Sequence, residues 1–147
     1  MNNPVPGSPR ARRLVACAGG RFDERCAQAV RMFFARRMDN PPYLVMSDWL
    51  GEDELVQAAV LWVVDSQAGA EVIEEALRAG LPLLVPGDHA ALRSLCDTAC
   101  CGLYYNDAAE AVHCLEYMIR DEGLRFRMGA NAHSYYVRLS SANEHSA

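Results

Sequence analysis

The chain contains no lysine, and all 14 of its basic residues are arginine. Its formal net charge of −5 argues against a nucleic-acid binder, because such proteins are usually basic overall. It also lacks an apolar run of the roughly 20 residues that a membrane-spanning helix needs. The arginines near the N-terminus are followed by no apolar signal-peptide core. We therefore expect a cytoplasmic protein with no transmembrane segment and no nucleic-acid partner.

Positive charge is scarce outside the N-terminal third. Residues 10–37 contain eight arginines against two acids, whereas residues 48–122 contain three arginines against fifteen acids. A basic segment of this kind can meet phosphates or an acidic partner. The simpler interpretation, which we favour, is that most of these arginines form the solvated face of one helix.

Familiar catalytic and metal-binding patterns are missing as well. The chain has no G-x-S-x-G, Walker or H-E-x-x-H motif. Its six cysteines are expected to be reduced, because no secretion signal accompanies them. Cys96, Cys100 and Cys101 suggest a metal site, with His113 and Cys114 as further ligands. Their spacing matches no common zinc pattern, so we favour small apolar filler and predict no metal.

The most informative stretch that is present runs from residue 61 to residue 86. It predicts a strand, a polar loop, a helix and a second strand. Both strand segments are short, apolar and rich in branched residues, as in strands buried on both faces. Ser66 is a candidate N-cap of the helix, and Gly80 stands where a left-handed C-cap belongs. A unit this compact predicts two parallel strands with a right-handed crossover.

The remaining sequence continues this alternation of strands and helices. Five short strands and five or six helices are predicted in all. The fold class is therefore α/β, a Rossmann-like three-layer α/β/α domain with a mainly parallel sheet of about five strands. We assign residues 13–140 to this single domain, residues 1–12 to a disordered arm and residues 141–147 to a frayed tail.

Two loops that follow predicted strands have compositions suited to ligands. Open parallel sheets bind ligands outside the carboxyl ends of their strands. Residues 19–21 form a plausible anion cradle with an arginine beside two glycines. Residues 66–69 precede the central helix, where backbone amides can meet a sugar or a phosphate.

Asp65 and Glu75 are possible paired carboxylates, although the sequence does not define their separation.

The order of these parts resembles one known family. EALRAGLPLLV at residues 75–85 is similar to the EAMACGLPVV motif of family-4 (group 1) retaining glycosyltransferases. The Gly-Gly loop at residues 19–20, GLYY at residues 102–105 and DEGLRFRMG at residues 121–129 occur in that family's order. Over about residues 13–139, the chain thus resembles the C-terminal, nucleotide-sugar-binding domain of two-domain GT-B glycosyltransferases.

This resemblance implies a donor site for a UDP-, GDP- or ADP-linked sugar, with no cofactor required. Glu75 takes the place of the second glutamate of the family's E-x₇-E motif, which holds the ribose hydroxyls. Gln67 stands where the first glutamate would be. No catalytic residue is assigned. The implied donor-binding residues are Gly19, Gly20, Arg21, Ser47, Asp48, Ser66, Gln67, Ala68, Gly69 and Glu75.

Departures from the family pattern shape the functional expectation. Gln67 can hydrogen-bond a hydroxyl, but it cannot supply negative charge beside an oxocarbenium ion. The family's diphosphate-binding arginine and lysine and its acceptor domain have no counterpart in this sequence. We therefore expect a donor-binding half that needs a separate acceptor-domain subunit for hexosyl transfer, and we keep a homo-oligomer as the alternative assembly.

Two other interpretations stay open. One is a non-catalytic interaction or regulatory domain built on a degenerate glycosyltransferase scaffold. The other is a flavodoxin-like or response-regulator-like module, which fits the alternation of elements. It ranks last, because the acidic cluster expected after its first strand is missing.

Overall fold

A single parallel sheet organises the protein. The computed structural model describes residues 14–20, 24–39 and 41–146. The strands are β1 (Leu14–Ala18), β2 (Tyr43–Met46), β3 (Val60–Val63), β4 (Leu83–Pro86) and β5 (Gly102–Tyr105). They are hydrogen-bonded in the order β2-β1-β3-β4-β5, and each neighbouring pair is parallel. The predicted α/β fold with about five parallel strands is confirmed.

Helices connect the strands and cover both faces of the sheet. They are α1 (Glu24–Ala35), α2 (Glu52–Leu55), α3 (Ala70–Ala79), α4 (Ala90–Ala99), α5 (Ala108–Arg120) and α6 (Glu122–Ser146). A 3₁₀ turn at Ser47–Trp49 follows β2. The last helix continues through residues 141–146, which the sequence assigns to a frayed tail. That the end of this helix frays stays a prediction.

The two faces of the sheet bury separate cores, as the period of two along a strand requires. In β3, Val60 and Trp62 pack with α1 and α5, whereas Leu61 and Val63 pack with the helices α3, α4 and α6. Because every residue of β3 is buried, its sequence is continuously apolar rather than alternating. The result is the predicted three-layer α/β/α arrangement.

The ends of α3 show one correct and one wrong capping prediction. Gly80 has the left-handed conformation (φ 73°) and ends the helix as predicted. Ser66 is not the N-cap; that position belongs to Gly69. The physical reason lies in the preceding turn, where Asp65 Oδ1 accepts the Gln67 N–H at 2.9 Å. This Asx-type turn delays the helix to Ala70.

The strand order reverses between β1 and β3, since β2 lies on one side of β1 and the later strands lie on the other. In doubly wound sheets the crevice at such a switch point is the preferred ligand site. The same 2-1-3-4-5 order occurs in flavodoxin-like folds, so strand order alone does not separate the two fold interpretations. It does place the loops after β1 and β3 side by side.

Among the described residues, no helix has both the length and the apolar character needed to cross a bilayer.

The cysteines that suggested a metal site are divided between core and surface: Cys96 and Cys101 are buried, and Cys100 is exposed. Within the described ranges, no group of three or more histidine, cysteine or acidic side chains is arranged to hold a metal ion.

Candidate functional site

A cleft of about 520 Å³ opens at the switch point. We call it the β1–α3 cleft. The end of β1 and its loop form one part of it, and the 3₁₀ turn after β2 forms another. The loop after β3 and the first two turns of α3 form the third. The residues that line it are Ala18, Gly19, Gly20, Met46, Ser47, Asp48, Leu50, Gln67, Ala68, Gly69, Glu71, Val72 and Glu75.

Eight of the ten residues that the sequence places in the donor site line this cleft: Gly19, Gly20, Ser47, Asp48, Gln67, Ala68, Gly69 and Glu75. Ser66 does not; it lines a neighbouring cavity of about 460 Å³ at the ends of β3, β4 and β5. Arg21 lies outside the described residues. Three separate parts of the chain, residues 19–20, 47–48 and 67–75, therefore meet in one cleft.

One carboxylate ties two of these parts together. Asp65 Oδ1 accepts the backbone N–H of Gly20 at 3.1 Å and the backbone N–H of Gln67 at 2.9 Å. The loop after β1 is thereby held against the loop after β3. Asp65 is not among the residues that line the β1–α3 cleft, whereas Glu75 is. Its observed contacts give Asp65 a tethering role, which sequence reasoning missed because it considered only pairing with Glu75.

This close approach requires glycine at the end of β1. Gly19 has φ 136°, a conformation that side chains disfavour. A Cβ there would lie 2.8 Å from Asp65 Oδ1 and 3.0 Å from the Asp65 backbone nitrogen. At Gly20, a Cβ would collide with Oε1 of Gln67, so the Gln67 side chain packs directly on this glycine. The Gly-Gly pair therefore permits contact between the two loops.

The start of α3 faces the cleft with Gly69 as its N-cap. A glycine cap supplies no side-chain acceptor for the first N–H groups of the helix. Those groups and the helix dipole favour a negatively polarised ligand atom. Glu75 lies one turn farther along and is half-buried. The arrangement thus combines backbone donors with a carboxylate acceptor, which suits a ligand that carries several hydroxyl groups.

Charge in the cleft is negative. Asp48, Glu71 and Glu75 contribute carboxylates, and none of the described residues that line the cleft is basic. Carboxylates accept hydrogen bonds from hydroxyls, but they repel phosphate oxygens. A diphosphate bound here would therefore need positive charge from a divalent cation or from groups beyond the lining residues. Glu71 borders the cleft and is itself exposed to solvent.

Comparison with solved structures adds a structural likeness. No protein-family model and no curated protein matches the chain. A solved structure of the glycotransferase of kitacinnamycin is similar to it, with a TM-score of 0.53 and 16% sequence identity. The likeness covers 96% of this chain and 44% of that one, so the chain spans less than half the length of the glycotransferase. It establishes a glycosyltransferase-like fold.

Proposed function

We propose that the protein is a donor-binding domain of glycosyltransferase type, which binds a nucleotide sugar in the β1–α3 cleft. The observation that carries this proposal is the convergence in one cleft of eight residues implied by the sequence resemblance. The glycosyltransferase-like fold supports it, because that likeness spans nearly the whole chain. The position of the cleft at the switch point of the sheet supports it further.

The polar groups of the cleft suit the ribose or hexose part of such a ligand. The half-buried carboxylate of Glu75 can accept hydrogen bonds from two vicinal hydroxyls, and the N–H groups at the start of α3 can donate to an oxygen. Gln67 can serve a hydroxyl but carries no charge. Binding is therefore a better-supported role for this cleft than stabilising a developing positive charge.

Hexosyl transfer would need a second protein surface. The cleft is open, and the basic groups that a diphosphate requires are not among its described lining residues. A separate acceptor-domain subunit, or a second copy of this chain, would close the cleft and supply that charge. In this scheme the chain alone binds the sugar nucleotide weakly and transfers nothing.

The experiment is calorimetric titration with UDP-, GDP- and ADP-linked hexoses at millimolar concentration, each with and without Mg²⁺. We expect one of them to bind, and Mg²⁺ to strengthen binding if it offsets the carboxylates. Glu75→Ala should weaken that binding about tenfold, since it removes a charged acceptor. Glu122→Ala, which removes an exposed carboxylate in the first turn of α6, is the control.

A specific observation also favours a non-catalytic interaction domain. The outer edge of β2 pairs with no other described strand, and Tyr43 on that strand is 72% exposed. An unpaired edge can accept a strand from a partner. Two results together would favour this second function over the first. No sugar nucleotide would bind, and the chain would form a stable complex with a partner protein that Tyr43→Lys disrupts.

A further inference from the structure

A second cavity lies at the same end of the molecule, on the side of the sheet that α3, α4 and α6 cover. We call it the α3–α6 groove. Its volume is about 520 Å³. It is lined by Ala68, Ala70, Ile73, Glu74, Leu77, His89, Ala91, Leu92, Tyr136, Leu139 and Ser140. Apart from Ala68, none of these residues lines the β1–α3 cleft.

The groove has an apolar floor and is bordered by small side chains. Ile73, Leu77 and Leu92 are buried members of the core beneath α3 and α4. Ala70 is the first residue of α3 and Ala91 is the second residue of α4, and their short side chains leave the space between the two helices unfilled. A cavity of this size and lining can hold a small apolar molecule with one or two rings.

Four polar side chains line the groove: Glu74, His89, Tyr136 and Ser140. The Tyr136 and Ser140 hydroxyls can donate or accept, so only Glu74 and His89 discriminate between polar groups of a ligand. His89 Nδ1 accepts the N–H of Leu92 at 3.3 Å, as the N-cap of α4. Because that nitrogen accepts, it bears no proton, and the neutral ring carries its proton on Nε2. His89 therefore offers a donor. Glu74, on the facing helix, offers a carboxylate acceptor.

We propose that the α3–α6 groove binds a small apolar alcohol or phenol, whose hydroxyl accepts from His89 and donates to Glu74. A hydroxyl is both donor and acceptor, so it matches both groups at once. A carboxylate would be repelled by Glu74, and an ammonium group would satisfy Glu74 but face the donor of His89. This site does not depend on the function proposed for the β1–α3 cleft.

The test compares ligands that share one ring system. In titrations of the full chain followed by amide chemical shifts, 2-naphthol should bind at submillimolar concentration, and 2-naphthoate should bind at least tenfold more weakly. The amide shifts that move should be those of residues 70–74 and 89–92. Failure of 2-naphthol to bind at 1 mM, or equal binding of the two compounds, would overturn the proposal.

Three variants test the groove itself. Ala91→Trp should fill it and reduce 2-naphthol binding at least tenfold. His89→Ser keeps an N-cap acceptor for α4 but removes the ring donor, so it should weaken binding about fivefold while the fold is kept. Glu74→Ala should weaken it by a similar factor. Asp97→Asn, an exposed carboxylate of α4 outside the groove, is the control and should change nothing. Unchanged affinity in Ala91→Trp would place the ligand elsewhere and contradict the site.

Discussion

Asp65 illustrates how a single side chain can position residues that bear no mark of being neighbours in sequence. Its carboxylate receives one N–H from the loop after β1 and one from the loop after β3. Gly19 and Gly20 then allow the two loops to touch. In the proposed function, this contact is what keeps the backbone of the cleft in place before a ligand arrives.

We expect Asp65→Ala to destabilise the protein by about 1–2 kcal/mol, because two backbone N–H groups lose their acceptor in a partly exposed site. Asp65→Asn retains an Oδ1 acceptor, so its loss of stability should be clearly smaller than that of Asp65→Ala. Urea unfolding measures the stabilities, and the amide shifts of Gly20 and Gln67 report the loops. Equal losses of stability in the two variants, with unchanged amide shifts of Gly20 and Gln67, would show that Asp65 does not hold the two loops together.

At the scale of elements, the position of α6 depends on contact between two glycines. A Cβ on Gly129 would collide with the carbonyl oxygen of Gly80, at the left-handed end of α3. The two helices can approach this closely only without side chains at the crossing. Since α6 also supplies Tyr136 and Leu139 to the α3–α6 groove, the same crossing shapes that cavity.

Gly129→Ala should therefore destabilise the protein by about 1–3 kcal/mol, because the added methyl group forces the two helices apart. Gly123→Ala is the matched control in the same helix. Its Cβ would meet only the flexible tip of Arg127 at 3.3 Å and an Asp121 oxygen at 3.5 Å. Greater helix propensity should make that variant neutral or up to about 1 kcal/mol more stable. Thermal and urea unfolding compare the two, and a neutral Gly129→Ala would contradict the packing described.

At the scale of the whole molecule, the absence of lysine reduces the number of groups that can change the stability of the protein at high pH. Arginine stays charged, so tyrosines and cysteines are the side chains that titrate above pH 8. Tyr105 is the notable one. Its hydroxyl donates to the carbonyl oxygen of Val63 at 2.5 Å, and burial raises the pKa of Tyr105 to about 12.

A pKa raised above the unfolded value of 10.0 means that the folded state holds the Tyr105 proton more tightly. This contribution is complete below pH 10 and is lost as the pH rises toward about 12. We expect it to account for about 1 kcal/mol of the stability lost between pH 9 and pH 11. Tyr105→Phe should show a smaller loss over that interval in urea unfolding, although it is less stable at neutral pH. Parallel pH profiles for the two proteins would refute this assignment.

Much of the fold follows from local sequence. Short apolar segments between polar loops predict the five strands that the described residues form, because strands buried on both faces need continuous apolar residues. Gly80 located the end of α3, because glycine tolerates the left-handed conformation. The prediction that Ser66 caps α3 was wrong, because the turn that Asp65 makes, and not the composition of the loop, determines the capping residue.

The sequence by itself determined the alternation of strands and helices, the class of fold and the residues that belong near the ends of β1, β2 and β3. Only the tertiary structure decided that eight of them share one cleft, that Ser66 faces the next cavity and that Asp65 tethers two loops. The physical reason is the distance in sequence between the residues that interact. Burial and capping depend on neighbours in sequence, whereas a contact such as that between residues 20 and 65 exists only once the parallel strands have brought their carboxyl ends together.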